Sequence, residues 1–331
     1  MTLGGGSSEL KVKYEISPLQ GIENYFSPAS QVTYAEGYSS VPTQNRHALL
    51  LEAVDAARKA DVVIFVGGLN KNENQDCEGA DRRSLNLPYG QDELIGELAR
   101  VNRNLVAVII SGNAVAMPWV NEVPAIVEAW YGGTEAGNAI ASVLAGEVNP
   151  SGKLPFTFPV RLEDNPAIAL DAYPGDGKQV EYKEGIFVGY RWNDRERIKP
   201  LFCFGHGLSY TTFEYGKVTA EGRQMGPDGT ITVSVPVKNT GSRAGAEIVQ
   251  LYVSDLKSSL PRPVKELKGF RKITLQPGQE QTVSFTIDRK ALSFYDDTKQ
   301  DWVAEPGTFE ALVGASACDI RGKAAFELTA R

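Results

Sequence analysis

The strongest constraint on this chain is a change of hydrophobic period part-way along it. Up to about Gly146, short apolar runs rich in Val and Ile are each followed by a longer segment whose apolar residues fall three or four apart, the pattern of strand then helix. Residues 60–69 (ADVVIFVGGL) and 104–111 (NLVAVIIS) read as strands buried on both faces, as in parallel sheets covered by helices, and 125–130 (AIVEAW) reads as a third. Helices are predicted over 45–59, 90–102 and 134–146, with Thr134 placed as the N-cap of the last. From about Phe213 the period becomes two. Residues 230–238, 247–253, 282–287 and 308–313 alternate apolar and polar between Gly, Asn, Asp and Pro turns, as the strands of a β-sandwich do. The fold class expected is α/β, a mostly parallel sheet flanked by helices, followed by an all-β sandwich.

At roughly 150 residues per domain, 331 residues suffice for about two domains. The texture suggests an α/β domain over 1–160, a packed linker over 161–212 rich in Pro, Gly and aromatics, and a sandwich domain over 213–331. Lys and Arg number 34 against 41 Asp and Glu, a net charge of −7, so the diffuse positive field that attracts nucleic acid or anionic lipid is missing. The longest uninterrupted apolar run, 105–110, has the length of a core strand and not of a membrane span. The N-terminus carries no recognisable export signal.

Cys77, Cys203 and Cys318 are few and far apart, so three free thiols are expected, and no His/Cys cluster offers metal-ligand spacing. Neither Gly4-Gly5-Gly6-Ser7-Ser8 nor the Gly67-Gly68 pair completes a phosphate-binding motif, so no cofactor is expected. His47 and His206 have no nucleophile motif beside them and read as structural.

The segment with most chemical content is residues 68–88, GLNKNENQDCEGADRRSLNLP. It leaves the carboxyl end of the first predicted strand, where open α/β sheets place their ligands, and carries Glu73, Asp76, Glu78 and Asp81. The plain alternative is a solvated acidic loop. Calcium is a weaker option, because the spacing lacks the alternating ligands of an EF-hand.

Cys77-Glu78-Gly79-Ala80-Asp81-Arg82, with Leu85 and Leu87-Pro88, resembles the EGxDRxxLxLP segment of glycoside hydrolase family 3, the β-glucosidase and β-xylosidase family. Four further stretches agree in order: 129–159, 180–192, 201–215, and 262–270 with Glu305-Pro306-Gly307. One departure is Ala114, where the family often has Pro. The resemblance implies the α/β sandwich domain of that family followed by a fibronectin type III-like domain. It also implies a preceding (β/α)8 barrel bearing the nucleophilic Asp, which this chain does not contain, so Met1 is expected to be an internal residue of a longer protein.

Retaining glycoside hydrolysis needs a nucleophilic carboxylate and a carboxylic acid that protonates the leaving oxygen and then acts as base. The resemblance places that acid/base at Glu78, with Glu73 the second choice, and makes Asp76, Asp81 and Arg82 supporting residues of its loop. Asp81 and Arg82 read in their own right as an adjacent ion pair that shapes the loop. The implied substrate is a β-linked glucoside or oligosaccharide, β-glucosidase being favoured over β-xylosidase, with the missing barrel as partner and a periplasmic or secreted home. The rival reading is a non-catalytic, carbohydrate-associated interaction module. Trp130, Tyr131, Tyr190 and Trp192 are amphipathic enough to stack on sugar, though packing is the commoner fate of such residues. Lys265, Glu266 and Lys268 read as a solvated strand face.

Overall fold

A computed structural model of the chain describes residues 3–6, 9–27, 29–42 and 44–330. Met1 and the Ser7-Ser8 pair lie outside the described residues. The chain divides into two compact units, Met1–Val148 and Asn149–Arg331.

The first unit is an α/β layer built on a three-stranded parallel sheet, β1 (Val63–Gly68), β2 (Leu105–Ile110) and β3 (Ala125–Glu128), in that spatial order. Val63 pairs with Leu105 and Val106 with Ala125, so the three carboxyl ends lie together. Leu105, Ala107, Val108 and Ile109 are fully buried in the central strand, as continuous apolar runs between helices require. The flanking helices are α1 (Pro18–Phe26), α2 (Arg46–Lys59), α3 (Gln91–Val101) and α4 (Ala136–Leu144). The α2 cap is Asn45, whose side chain accepts from the Ala48 amide.

One local expectation is corrected, and one helix was not foreseen. The N-cap position of α4 falls on Glu135, which makes no side-chain cap, and not on Thr134. Helix α1 has too short an apolar pattern to stand out in sequence. Its position is set by a backbone crossing: a Cβ on Gly21 would lie 2.1 Å from the Gly137 carbonyl of α4, and one on Gly137 2.1 Å from the Ser17 carbonyl. Only glycine permits that approach.

The second unit opens with irregular chain through α5 (Pro166–Ala169) and α6 (Tyr190–Glu196), followed by the sandwich. Residues 149–160 cluster with this unit. One sheet carries β4 (Phe213–Tyr215), β5 (Thr219–Ala220), β7 (Thr230–Asn239) and β10 (Glu280–Asp288), β7 being central. The other runs in the order β6 (Gln224–Met225), β14 (Asp319–Leu328), β13 (Gly307–Ser316), β8 (Gly245–Asp255), β9 (Glu266–Leu275). A single-turn helix α7 (Arg289–Leu292) and a ribbon of β11 (Phe294–Asp296) with β12 (Asp301–Val303) close the β10 to β13 connection. Val233, Val235 and Val237 of β7 meet Leu251 of β8 and Phe309 and Val313 of β13 in one core, which accounts for the period of two.

Two expectations for the second unit change, those for the cysteines and for Lys265, Glu266 and Lys268, while Tyr190 and Trp192 meet the packed fate expected of such residues. Cys203 and Cys318 form a disulfide across 115 residues of sequence, joining the chain ahead of the sandwich to the β13–β14 turn, and leave Cys77 as the free thiol. Tyr190 and Trp192 are packed and not presented to solvent: the Tyr190 ring stacks on Phe204, its hydroxyl accepts from the Leu267 amide, and Trp192 is buried. Lys265, Glu266 and Lys268 belong to a half-buried ionic cluster and not to a solvated face. Lys265 Nζ lies 2.5 Å from Asp194, Arg262 pairs with both Asp255 (3.0 Å) and Glu266 (2.7 Å), and Lys268 reaches Glu266 at 3.5 Å.

Candidate active site

The loop that joins β1 to α3 is held at both ends by hydrogen bonds. At its start, Gly68 has φ +136°, and a Cβ there would lie 2.0 Å from the Ile110 carbonyl, so the chain can leave the sheet only through glycine. The Gln91 side chain, fully buried at the head of α3, accepts from the Gly68 amide (2.7 Å) and donates to the Gly68 and Pro88 carbonyls. One amide thus fastens the exit from β1 to the entry of α3. Tyr89 Oη accepts from Asn70 and from Gln75 Nε2 (2.6 Å), folding residues 70–75 back on themselves. At the far end the Leu85 carbonyl accepts from the Ala116 amide, and Asp92 accepts from the Leu87 amide and from Trp119 Nε1.

Between these fixed ends stands Asp76. Its Oδ2 accepts from the Gly112 amide (2.6 Å) and the Tyr131 hydroxyl (2.7 Å), and its Oδ1 from Asn113 Nδ2 (2.5 Å). Gly112 and Asn113 follow β2 and Tyr131 follows β3, so one carboxylate ties the loop after β1 to the chain beyond the other two strands. A carboxylate holding three donors is among the stronger polar contacts available. Burial, with the hydrogen bond to Asp76 adding to it, holds the Tyr131 hydroxyl well above its ordinary range, so it stays a donor. Arg82 turns inward and donates to the Ala114 carbonyl (2.7 Å). Burial lowers its guanidinium from its ordinary value, with Asp76 and Tyr131 opposing that shift.

Glu78 lies two residues beyond this anchor, exposed, on a turn closed by Gly79 at φ +84°. Glu73 and Asp81 are also exposed on the same loop, whereas Asp76 and Arg82 are partly buried. The five residues singled out in sequence therefore divide in two: Asp76 and Arg82 face the strand ends, and Glu73, Glu78 and Asp81 face outward.

Glu128 escaped sequence reasoning, although a lone carboxylate inside the apolar run AIVEAW was the signal for it. At the end of β3 its Oε1 accepts from the Ser111 hydroxyl (3.2 Å) and the Trp130 amide (3.3 Å), while Oε2 is buried with no hydrogen-bond partner among the described residues. Burial pushes its pKa up to about 8, outweighing the hydrogen bonds that oppose the shift. The folded state thus keeps a proton that the unfolded chain releases near pH 4.5, so this group costs stability progressively as pH rises from about 4.5 to about 8. Glu128→Gln should flatten the pH dependence of urea unfolding of the first unit between pH 5 and 8, recovering at most a few kcal/mol at the upper end. An unchanged pH slope would show that Glu128 is not the group responsible.

Residues 1–190 match the glycosyl hydrolase family 3 C-terminal domain, and residues 247–317 a fibronectin type III-like domain. The chain belongs to glycosyl hydrolase family 3. A β-glucosidase of Bacteroides ovatus is 55% identical over 339 residues, covering 99% of this chain and 45% of that relative. The thermostable β-glucosidase B of Acetivibrio thermocellus is 45% identical over 96% of this chain and 42% of its own length. Among solved structures, a family 3 β-glucosidase of Bifidobacterium adolescentis superimposes with a TM-score of 0.90 at 36% identity, over 98% of this chain and 47% of that one. The chain therefore spans less than half the length of these relatives. Among the described residues, no helix is long and apolar enough to cross a membrane.

Proposed function

We propose that this chain is the C-terminal part of a retaining exo-β-glycosidase, a β-glucosidase in preference to a β-xylosidase, and that it supplies the general acid/base, Glu78. The observation that carries this reading is the arrangement of the loop after β1. Both its ends and its centre are held by hydrogen bonds to α3 and to the chain that follows β2 and β3, while Glu78 stands exposed just beyond the Asp76 anchor. An acid/base must reach a glycosidic oxygen from outside the chain that bears it, yet be held in place, and a loop anchored at its root meets both needs. The nucleophilic carboxylate would come from polypeptide of the kind that makes up the remaining length of the relatives. It would stand about 5 to 5.5 Å from Glu78 across the scissile bond. Asp76 and Arg82 serve this reading as supporting residues, and Asp81 as a shaper of the turn. A β-linked glucoside is the substrate. A periplasmic or extracellular site of action fits such a substrate.

The test joins this chain to the N-terminal portion of the Bacteroides ovatus relative. The hybrid should release phenol from phenyl β-glucoside and the isolated chain none. A hybrid that folds and binds glucose without hydrolysing the glucoside would favour the interaction-module reading.

A further inference from the structure

The N-terminal glycine run, which completes no phosphate motif, lies against the candidate acid loop. A Cβ on Gly4 would sit 3.1 Å from the Tyr131 ring, one on Gly5 2.5 Å from Lys71 Cβ, and one on Gly6 3.1 Å from Glu78 Cβ and 3.3 Å from its Oε2. Three successive residues thus pass so close to three parts of one assembly, the post that holds Asp76, the front of the loop, and the Glu78 side chain itself, that a methyl group on any of them would crowd it. Gly6 has φ +73°, a conformation that a side chain would strain even where space allowed. Glu9, whose amide donates to the Gly6 carbonyl, forms an ion pair with Lys71 and returns the segment to the loop. Tyr131 joins the two layers, its hydroxyl on Asp76 and its ring under Gly4.

We propose that residues 4–6 form a strap that fixes the position of the Glu78 carboxyl for proton transfer, with Gly6 as a positioning residue and Tyr131 as the post tying strap to loop; this rests on the reading of Glu78 as the acid/base. An exposed Glu has many rotamers, and a proton donor works only from a narrow range of distances and angles. Backbone that passes within a methyl group's reach of Cβ and Oε2 restricts rotamers without adding a competing charge. Glycine suits this approach, since a Cβ at position 6 would crowd the Glu78 side chain and require a left-handed backbone that a side chain strains.

The test uses the hybrid enzyme described above, with two substrates. Phenyl β-glucoside needs protonation of its leaving group and 2,4-dinitrophenyl β-glucoside does not. Gly6→Ala should lower kcat/KM on the phenyl substrate about ten-fold or more, because small misplacements of a catalytic group are costly. The dinitrophenyl value should stay within about three-fold, because that step draws nothing from the acid. Tyr131→Phe, which keeps the ring under Gly4, should show a smaller change in the same direction, and Tyr131→Ala a larger one. Gly96→Ala, on α3 with open space beside it, should match the parent on both substrates.

Equal losses on both substrates, or none on either, would overturn the strap. Hydrogen exchange of amides 71–79 in the isolated chain gives a second reading, faster in Gly6→Ala than in the parent if the strap restrains the loop, and unchanged if it does not. Should the parent hybrid be inactive while Gly6→Ala still loosens the loop, the acid/base reading fails and the restraint stands.

Discussion

Glu78→Gln in the hybrid enzyme should lower kcat/KM on phenyl β-glucoside by about 10²- to 10⁴-fold, the usual worth of a positioned general acid. Gln keeps the shape of the side chain and its place beside Gly6 but has no acidic proton to give. The first step would then have to expel phenoxide unassisted. On 2,4-dinitrophenyl β-glucoside the first step should proceed almost normally and the second, in which the carboxylate activates water, should become limiting. Azide, which needs no general base, should restore turnover and divert product to the glycosyl azide. Both responses are required of an acid/base. A loss on the two substrates alike, with no azide effect, would remove Glu78 from that role. If Glu73→Gln gave the pattern instead, the role would pass to Glu73 on the same loop, five residues nearer β1.

The second large effect concerns stability. Arg262→Met should destabilise the sandwich unit by about 3–5 kcal/mol, read as a fall in the urea midpoint without a change in slope. The Arg262 side chain is 6% exposed and Asp255, 3.0 Å away, is 3% exposed. The guanidinium also donates to the Leu292 carbonyl (2.9 Å) and to Glu266 Oε2 (2.7 Å). Met would fill most of the volume but leave Asp255 and Glu266 as buried charges without their main partner, and one carboxylate stranded in this way costs more than the intact pair contributes. Burial alone would raise the Glu266 pKa. The Arg262 hydrogen bond and the charges of Lys268 and Arg191 override it, holding the group below its ordinary value. Its contribution is accordingly present at neutral pH and lost as pH falls through the depressed folded value. Adding Asp255→Asn and Glu266→Gln to Arg262→Met should recover much of the loss. A single-variant loss under about 1 kcal/mol would mean that solvent screens the cluster as it does a surface pair.

This cluster shows where reading along the chain stops. Lys265, Glu266 and Lys268 read in sequence as a solvated strand face, and nothing in the residues at the start of β9 distinguishes them from one. Their partners Arg191 and Asp194 belong to α6, more than 70 residues earlier in sequence, as the Lys265–Asp194 separation of 71 shows. The Cys203–Cys318 bond is the same case across 115 residues.

The longer strands and helices with a clear period, and which class of sheet each half builds, could be read directly from the residues, because the period of burial is a local property: a strand turns alternate side chains to one face, and a helix every third or fourth; the short elements α1, α5, α6 and β4 to β6 carry too few residues to show one. The acidic loop was also legible, since a run of carboxylates at the carboxyl end of a buried strand is a local signal too. Which carboxylate anchors and which projects was not. Asp76 and Glu78 differ only in what converges on them: the chain after β2 and β3 reaches the first, and the N-terminal glycines lie along the second. Those meetings depend on the order of strands in the sheet and on how closely two backbones can approach, quantities that no window of neighbouring residues contains.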